Sequence, residues 1–95
     1  MTDLVIDNLY DLFLELHAEF NNPKEIKDNK ENLLINCPFH DDHHPTMNVY
    51  NVRDDKVPFG YGRCWACGQG WSLIDIVSQI INSDGAKWLI SHGYI

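Results

Sequence analysis

Basic residues are scarce in this chain: seven Lys and Arg stand against 14 Asp and Glu in 95 residues, a formal charge of −7. Phosphate neutralisation supplies most non-specific nucleic-acid affinity, so this balance excludes a generic polycation that coats DNA or RNA. Cysteine is scarce too. Three thiols leave an orphan in any disulfide framework, which excludes a disulfide-stapled scaffold. No apolar run approaches the roughly 20 residues of a membrane span, and Leu4-Val5-Ile6 is soon broken by Asp7, Asp11 and Glu15. The opening Met1-Thr2-Asp3 carries no basic stretch and does not have the form of a secretory signal. A reducing, cytoplasmic setting is the expectation, and it keeps thiols available. Internal repeats and low-complexity segments are also lacking.

A chain this short is expected to form one domain, residues 1–95, with a thin core. Small domains commonly add a metal staple. Two short ligand pairs supply one here: Cys37-Pro38-Phe39-His40, and Cys64-Trp65-Ala66-Cys67 followed by Gly68. Each pair spaces two metal-binding side chains three residues apart on one tight turn. Cys37, His40, Cys64 and Cys67 together offer three thiolates and one imidazole, a full tetrahedral shell for one Zn2+. A closed shell leaves no position for a substrate water, so the expected zinc is structural. Gly68 permits the positive φ that such a turn usually needs, and Pro38 pre-sets φ in the first turn. His43 and His44 are rivals to His40 but lie further from Cys37, beside Asp41-Asp42. His17 reads as an ordinary surface or boundary residue, and His92 as one that favours a helix C-terminus. Structural zinc contributes about 10–16 kcal/mol of apparent binding energy in finger peptides. That rivals the whole net stability of a small domain, about 5–15 kcal/mol. Without metal, the middle of the chain is expected to unfold.

The fold class predicted around this centre is α+β: a small zinc ribbon of antiparallel hairpins flanked by an N-terminal helix and one or two C-terminal helices. Leu9, Phe13, Leu16 and Phe20 recur at helical spacing, which predicts a helix over 3–20 within an N-terminal segment 1–22. Thr2 would be its N-cap, Asp3 would favour its first turn, and Asn21-Asn22-Pro23 would end it. The ribbon would occupy 24–70. A hairpin turns at Asp28-Asn29-Lys30, a strand alternates over Thr46–Tyr50, Asn51–Pro58 is a polar loop, and Phe59–Trp65 is a strand. Two hairpins would then face each other across the metal. In the C-terminal part, 72–95, Ser72 with Asp75 forms a capping box. A short last helix is expected over 85–92, with Gly93 as its C′ residue.

The wording of the motifs is specific. Cys37-Pro38-Phe39-His40, then Pro45-Thr46-Met47-Asn48-Val49, then Cys64-Trp65-Ala66-Cys67-Gly68-Gln69-Gly70, then Ile74-Asp75-Ile76-Val77, resembles the N-terminal zinc-binding domain of bacterial and phage DNA primases. The likeness covers roughly residues 33–80. It implies zinc on Cys37, His40, Cys64 and Cys67, a ribbon flanked by helices, and help with single-stranded DNA template recognition alongside a separate polymerase domain. The stretch between His40 and Cys64 is longer than the family usually has, and Trp71-Ser72 stands where Gly-Asp is frequent.

Single-stranded DNA needs aromatic faces for stacking and cations for phosphate. Arg53, Lys56, Tyr61, Arg63 and Trp65 are the leading candidates, with Tyr50, Phe59 and Trp71 as further aromatics. The acids include no pattern resembling a polymerase metal centre: Asp41-Asp42 and Asp54-Asp55 are adjacent pairs, and neighbours in sequence do not share a face. The expectation is a non-enzymatic, primase-like module that assists template recognition in DNA replication, acting in trans with a polymerase or helicase. The alternative is an acidic, phage-type regulator, whose N-terminal helix would occupy a basic nucleic-acid site on a replication or host partner. The sequence leaves the oligomeric state open.

Overall fold

A computed structural model of the chain describes residues 4–41, 43–53 and 56–95. The elements run α1 (Tyr10–Phe20), β1 (Ile26–Asn29), β2 (Asn32–Ile35), β3 (Met47–Tyr50), β4 (Gly62–Cys64), β5 (Gln69–Trp71), α2 (Leu73–Ile81) and α3 (Gly85–Ser91). The class is α+β, with one helix before the sheet and two after it. The strands form one antiparallel sheet in the order β1-β2-β3-β4-β5. The hairpins are therefore joined edge to edge, not opposed as two separate ribbons. β3 is the reason: it pairs with β2 over Leu33–Val49 and Ile35–Met47 and with β4 over Met47–Cys64.

Period-two alternation divides the sheet into two faces. Leu33, Ile35, Met47, Val49 and Cys64 point inward and are buried. They meet Leu9, Leu12, Phe13 and Leu16 around α1, Leu73, Ile76, Val77 and Ile80 of α2, and Trp88 and Leu89 of α3. Burying each such large side chain contributes about 1.5–3 kcal/mol. The outer face of the strands carries Lys27, Asn29, Asn32, Leu34, Asn48, Tyr50, Arg63 and Gly70, and no helix covers it among the described residues.

α1 begins at Tyr10, later than its periodicity predicts. The proposed cap Thr2 and first-turn Asp3 lie outside the described residues, as do Asp42, Asp54 and Asp55. Other partners take the backbone groups that an earlier helix would use. Val5 N–H donates to the Tyr94 carbonyl at 3.0 Å. Arg53 Nη2 donates to the carbonyls of Leu4 and Ile6, at 2.6 and 2.8 Å. The buried Asn51 Oδ1 accepts from Leu9 N–H at 2.7 Å, and Asn8 Oδ1 accepts from Tyr10 N–H at 2.9 Å. Asn21 stops the helix in the left-handed region, as its position before Asn22-Pro23 predicts.

The first hairpin turns at Lys30-Glu31, because Asp28 and Asn29 complete β1 and Lys30 takes the positive φ of 65°. β5 has no counterpart in the sequence reading, which runs from Gly70 into a helix; Gln69–Trp71 instead pair with β4 before Ser72 opens α2. Ser72 Oγ accepts from Asp75 N–H at 3.2 Å, the predicted cap. Asp84 caps α3, which ends at Ser91 with His92 as its C-cap, one residue short of the predicted range.

Candidate metal centre

In an antiparallel meander, β2 and β4 run the same way with β3 between them, so the segments that follow both emerge at one end of the sheet. The first segment holds Cys37 and His40. The second is the Cys64–Cys67 turn between β4 and β5. This parity brings together ligands separated by more than twenty residues of chain. One ligand atom from each of Cys37, His40, Cys64 and Cys67 lies within 4.8 Å of the others.

The spacings suit a tetrahedral ion. Sulfurs bound at about 2.3 Å with tetrahedral angles lie about 3.8 Å apart, and Cys37 Sγ and Cys67 Sγ are 3.8 Å apart. His40 Nε2 is 3.3 Å from Cys64 Sγ. No thiol is in a disulfide. Cys37 and Cys64 are buried, at 3% and 0% exposure, while His40 and Cys67 are half-buried. The four residues can hold a metal ion with no position left open on a tetrahedral centre.

Local backbone chemistry prepares the turns. Gly68 N–H donates to the Cys64 carbonyl at 2.9 Å and adopts φ +72°, as its place after Cys67 predicts. Cys67 N–H donates to Cys64 Sγ at 3.3 Å, and the Thr46 hydroxyl lies 3.4 Å from the same sulfur. Burial alone pushes the Cys64 thiol up. Hydrogen bonds with the Thr46 hydroxyl, the Cys67 N–H, His40 and Cys37 outweigh burial and bring it down to about 6. Burial, reinforced by Cys64, pushes Cys37 up to about 12, even though the Phe39 backbone hydrogen bond works the other way.

Sequence reasoning missed three supports of this centre. Thr46 is one. Phe39 and Trp71 are another: their rings stack at 3.8 Å and 9°, fastening the first turn to the end of β5. Gln79 is the third, donating from α2 to the Pro38 carbonyl at 3.3 Å. Of the rival histidines, His43 lies 3.8 Å from Asp41 with a largely exposed side chain, and neither it nor His44 joins the cluster. His17 donates from Nδ1 to the Pro23 carbonyl at 2.7 Å, a boundary role.

The nucleic-acid candidates divide. Tyr61 sits on the outer sheet face over Gly70, where an added Cβ would collide with the phenol, and its ring is 6.5 Å from that of Tyr50. Arg63 is exposed on the same face of β4, and Trp65, in the turn beyond it, is 69% exposed. Arg53 is instead engaged with the N-terminal segment: besides the two carbonyls it reaches Asp7 at 3.2 Å and covers the Phe59 ring at 4.5 Å. Lys56 is exposed in the loop before Phe59. Trp71 is committed to Phe39. Compared with known proteins, the chain matches no family model, no curated protein and no solved structure. None of the described helices is long and apolar enough to cross a membrane.

Proposed function

We propose that the chain is a zinc-stapled, primase-like module that binds single-stranded DNA across the open face of its sheet, in trans with a replication polymerase or helicase. The donor set supports zinc: three thiolates and an imidazole suit a borderline-soft, tetrahedral ion. When bound, zinc neutralises thiolate charge and locks the two turns together, with no part in bond-making. The chain's own residues do the recognition.

The observation that carries the reading is the arrangement of the outer face. Tyr50 and Tyr61 lie side by side, Arg63 follows Tyr61 on the same face, and exposed Trp65 continues toward the metal turn. Lys27 adds a cation on the same cross-strand row as Arg63, although it also lies 3.6 Å from Glu25. The strand residues of this face include no acid. The net charge is acidic, but acids cluster elsewhere, including Asp11, Glu15 and Glu19 on α1. Aromatic faces contribute about 1–3 kcal/mol per stacked base, irrespective of sequence.

The test is a titration of short single-stranded DNA against zinc-loaded protein at several salt concentrations. Affinity is expected to fall with salt, by a slope of about 0.7 per phosphate contacted. Trp65→Ala and Arg63→Ala are expected to weaken binding, the second with a shallower salt slope. Absence of binding at low salt would favour the acidic-regulator alternative.

A further inference from the structure

A second set of ligating side chains forms where the N-terminal helix meets the end of the chain. Glu15 and Glu19 stand one turn apart on α1, so their carboxylates share a face. His92, the C-cap of α3, brings Nε2 to 3.2 Å from Glu15 Oε2 and 3.5 Å from Glu19 Oε2. One ligand atom from each of the three lies within 4.8 Å of the others.

The histidine is oriented from outside this set. Its Nδ1 is 2.8 Å from the Trp88 carbonyl, which can only accept, so Nδ1 carries a hydrogen and Nε2 faces the carboxylates. Trp88 stacks on the ring at 4.0 Å. Behind Glu15, the Tyr94 hydroxyl donates to Oε1 at 2.6 Å, leaving Oε2 toward His92. A carbonyl behind an imidazole and a donor behind a carboxylate are the partners that orient metal ligands. The neutral Nε2 and the two carboxylate oxygens are all acceptors. Their convergence calls for a cation between them, either a proton on Nε2 or a metal ion.

We propose that Glu15, Glu19 and His92 form a second divalent-metal site, separate in ligands and chemistry from the cysteine-rich centre. Two carboxylates and one imidazole suit Zn2+ and similar ions, whereas Ca2+ and Mg2+ favour all-oxygen shells. The three side chains are 39%, 46% and 27% exposed, so water completes the coordination. A metal here ties α1 to the end of α3, closing the N-terminal helix onto the C-terminus.

The experiment uses the full chain already carrying one equivalent of zinc. It is titrated with further Zn2+ by calorimetry at mildly alkaline pH, which lessens proton competition for the ligands, while histidine ring nitrogens are followed by NMR. A second equivalent is expected to bind and to move the Nε2 signal of His92. Glu19→Gln, an isosteric change on an exposed side chain, is expected to weaken it at least about tenfold and leave the first equivalent unchanged. A stoichiometry of one would overturn the proposal. So would second-site binding unaltered in both Glu19→Gln and His92→Gln, or a ring shift confined to His43 and His44.

Discussion

At the residue scale, the centre is governed by what touches each sulfur. Cys64 is buried, yet hydrogen bonds with the Thr46 hydroxyl, the Cys67 N–H, His40 and Cys37 bring its thiol down to about 6. Metal binding requires the thiolate, so proton competition sets apparent affinity. Thr46→Val removes one of the hydrogen bonds to Cys64 while keeping the side-chain shape. The Cys64 thiol is then expected to rise, and the pH midpoint of zinc binding, read by a chelator-competition titration, to move upward. Cys64→Ser is expected to go further, losing stoichiometric zinc and much of the ordered fold. An unmoved midpoint in Thr46→Val would remove Thr46 as a support of Cys64, and full zinc in Cys64→Ser would remove Cys64 from the ligand set.

At the scale of elements, a buried amide does what no periodicity announces. Asn51 receives the Leu9 N–H, donates to Asn8 Oδ1 at 3.0 Å and to the Lys30 carbonyl at 3.4 Å, and is itself fastened by its N–H to the Glu31 carbonyl at 2.8 Å. It joins the start of α1, the first hairpin turn and the end of β3. Asn51→Ala is expected to cost about 2 kcal/mol, because it leaves the buried Leu9 N–H without its acceptor. Urea unfolding of the zinc-loaded protein should show a lower midpoint at an unchanged slope. The same residue explains what was legible in the sequence. Features set by neighbours in the chain were readable: the ligand spacing, the Ser72 cap, the Asn21 stop, the positive φ at Gly68. Features set across the chain were not. Asn51 looks like the first residue of a polar loop until Leu9, 42 positions away, supplies its partner. Arg53 looks like a phosphate contact until the Leu4 and Ile6 carbonyls, in the segment before α1, accept from its guanidinium. β5 is too short, and too rich in glycine around it, to show alternation.

At the scale of the whole molecule, the two ends of the chain are held to each other. Val5 pairs with Tyr94 through the backbone, and the Tyr94 hydroxyl reaches Glu15 across 79 positions. Burial pushes the Tyr94 phenol above its ordinary range, and the hydrogen bond and charge of Glu15, with the charge of Asp11, push it the same way. The folded value thus exceeds the unfolded value of about 10. Between the two the folded state holds the proton more tightly, so stability falls as pH rises. The contribution is complete below about pH 10 and is lost as pH climbs through the raised folded value. Tyr94→Phe cannot titrate and lacks the bond. At neutral pH it is expected to be less stable by about 1 kcal/mol. That gap, measured by denaturant unfolding of both proteins at each pH, should stay level to about pH 10 and narrow beyond it. Other groups titrate equally in both proteins and cancel in the difference. A gap that persists unchanged into strong alkali would mean that the phenol does not join the chain's ends through a protonated bond to Glu15.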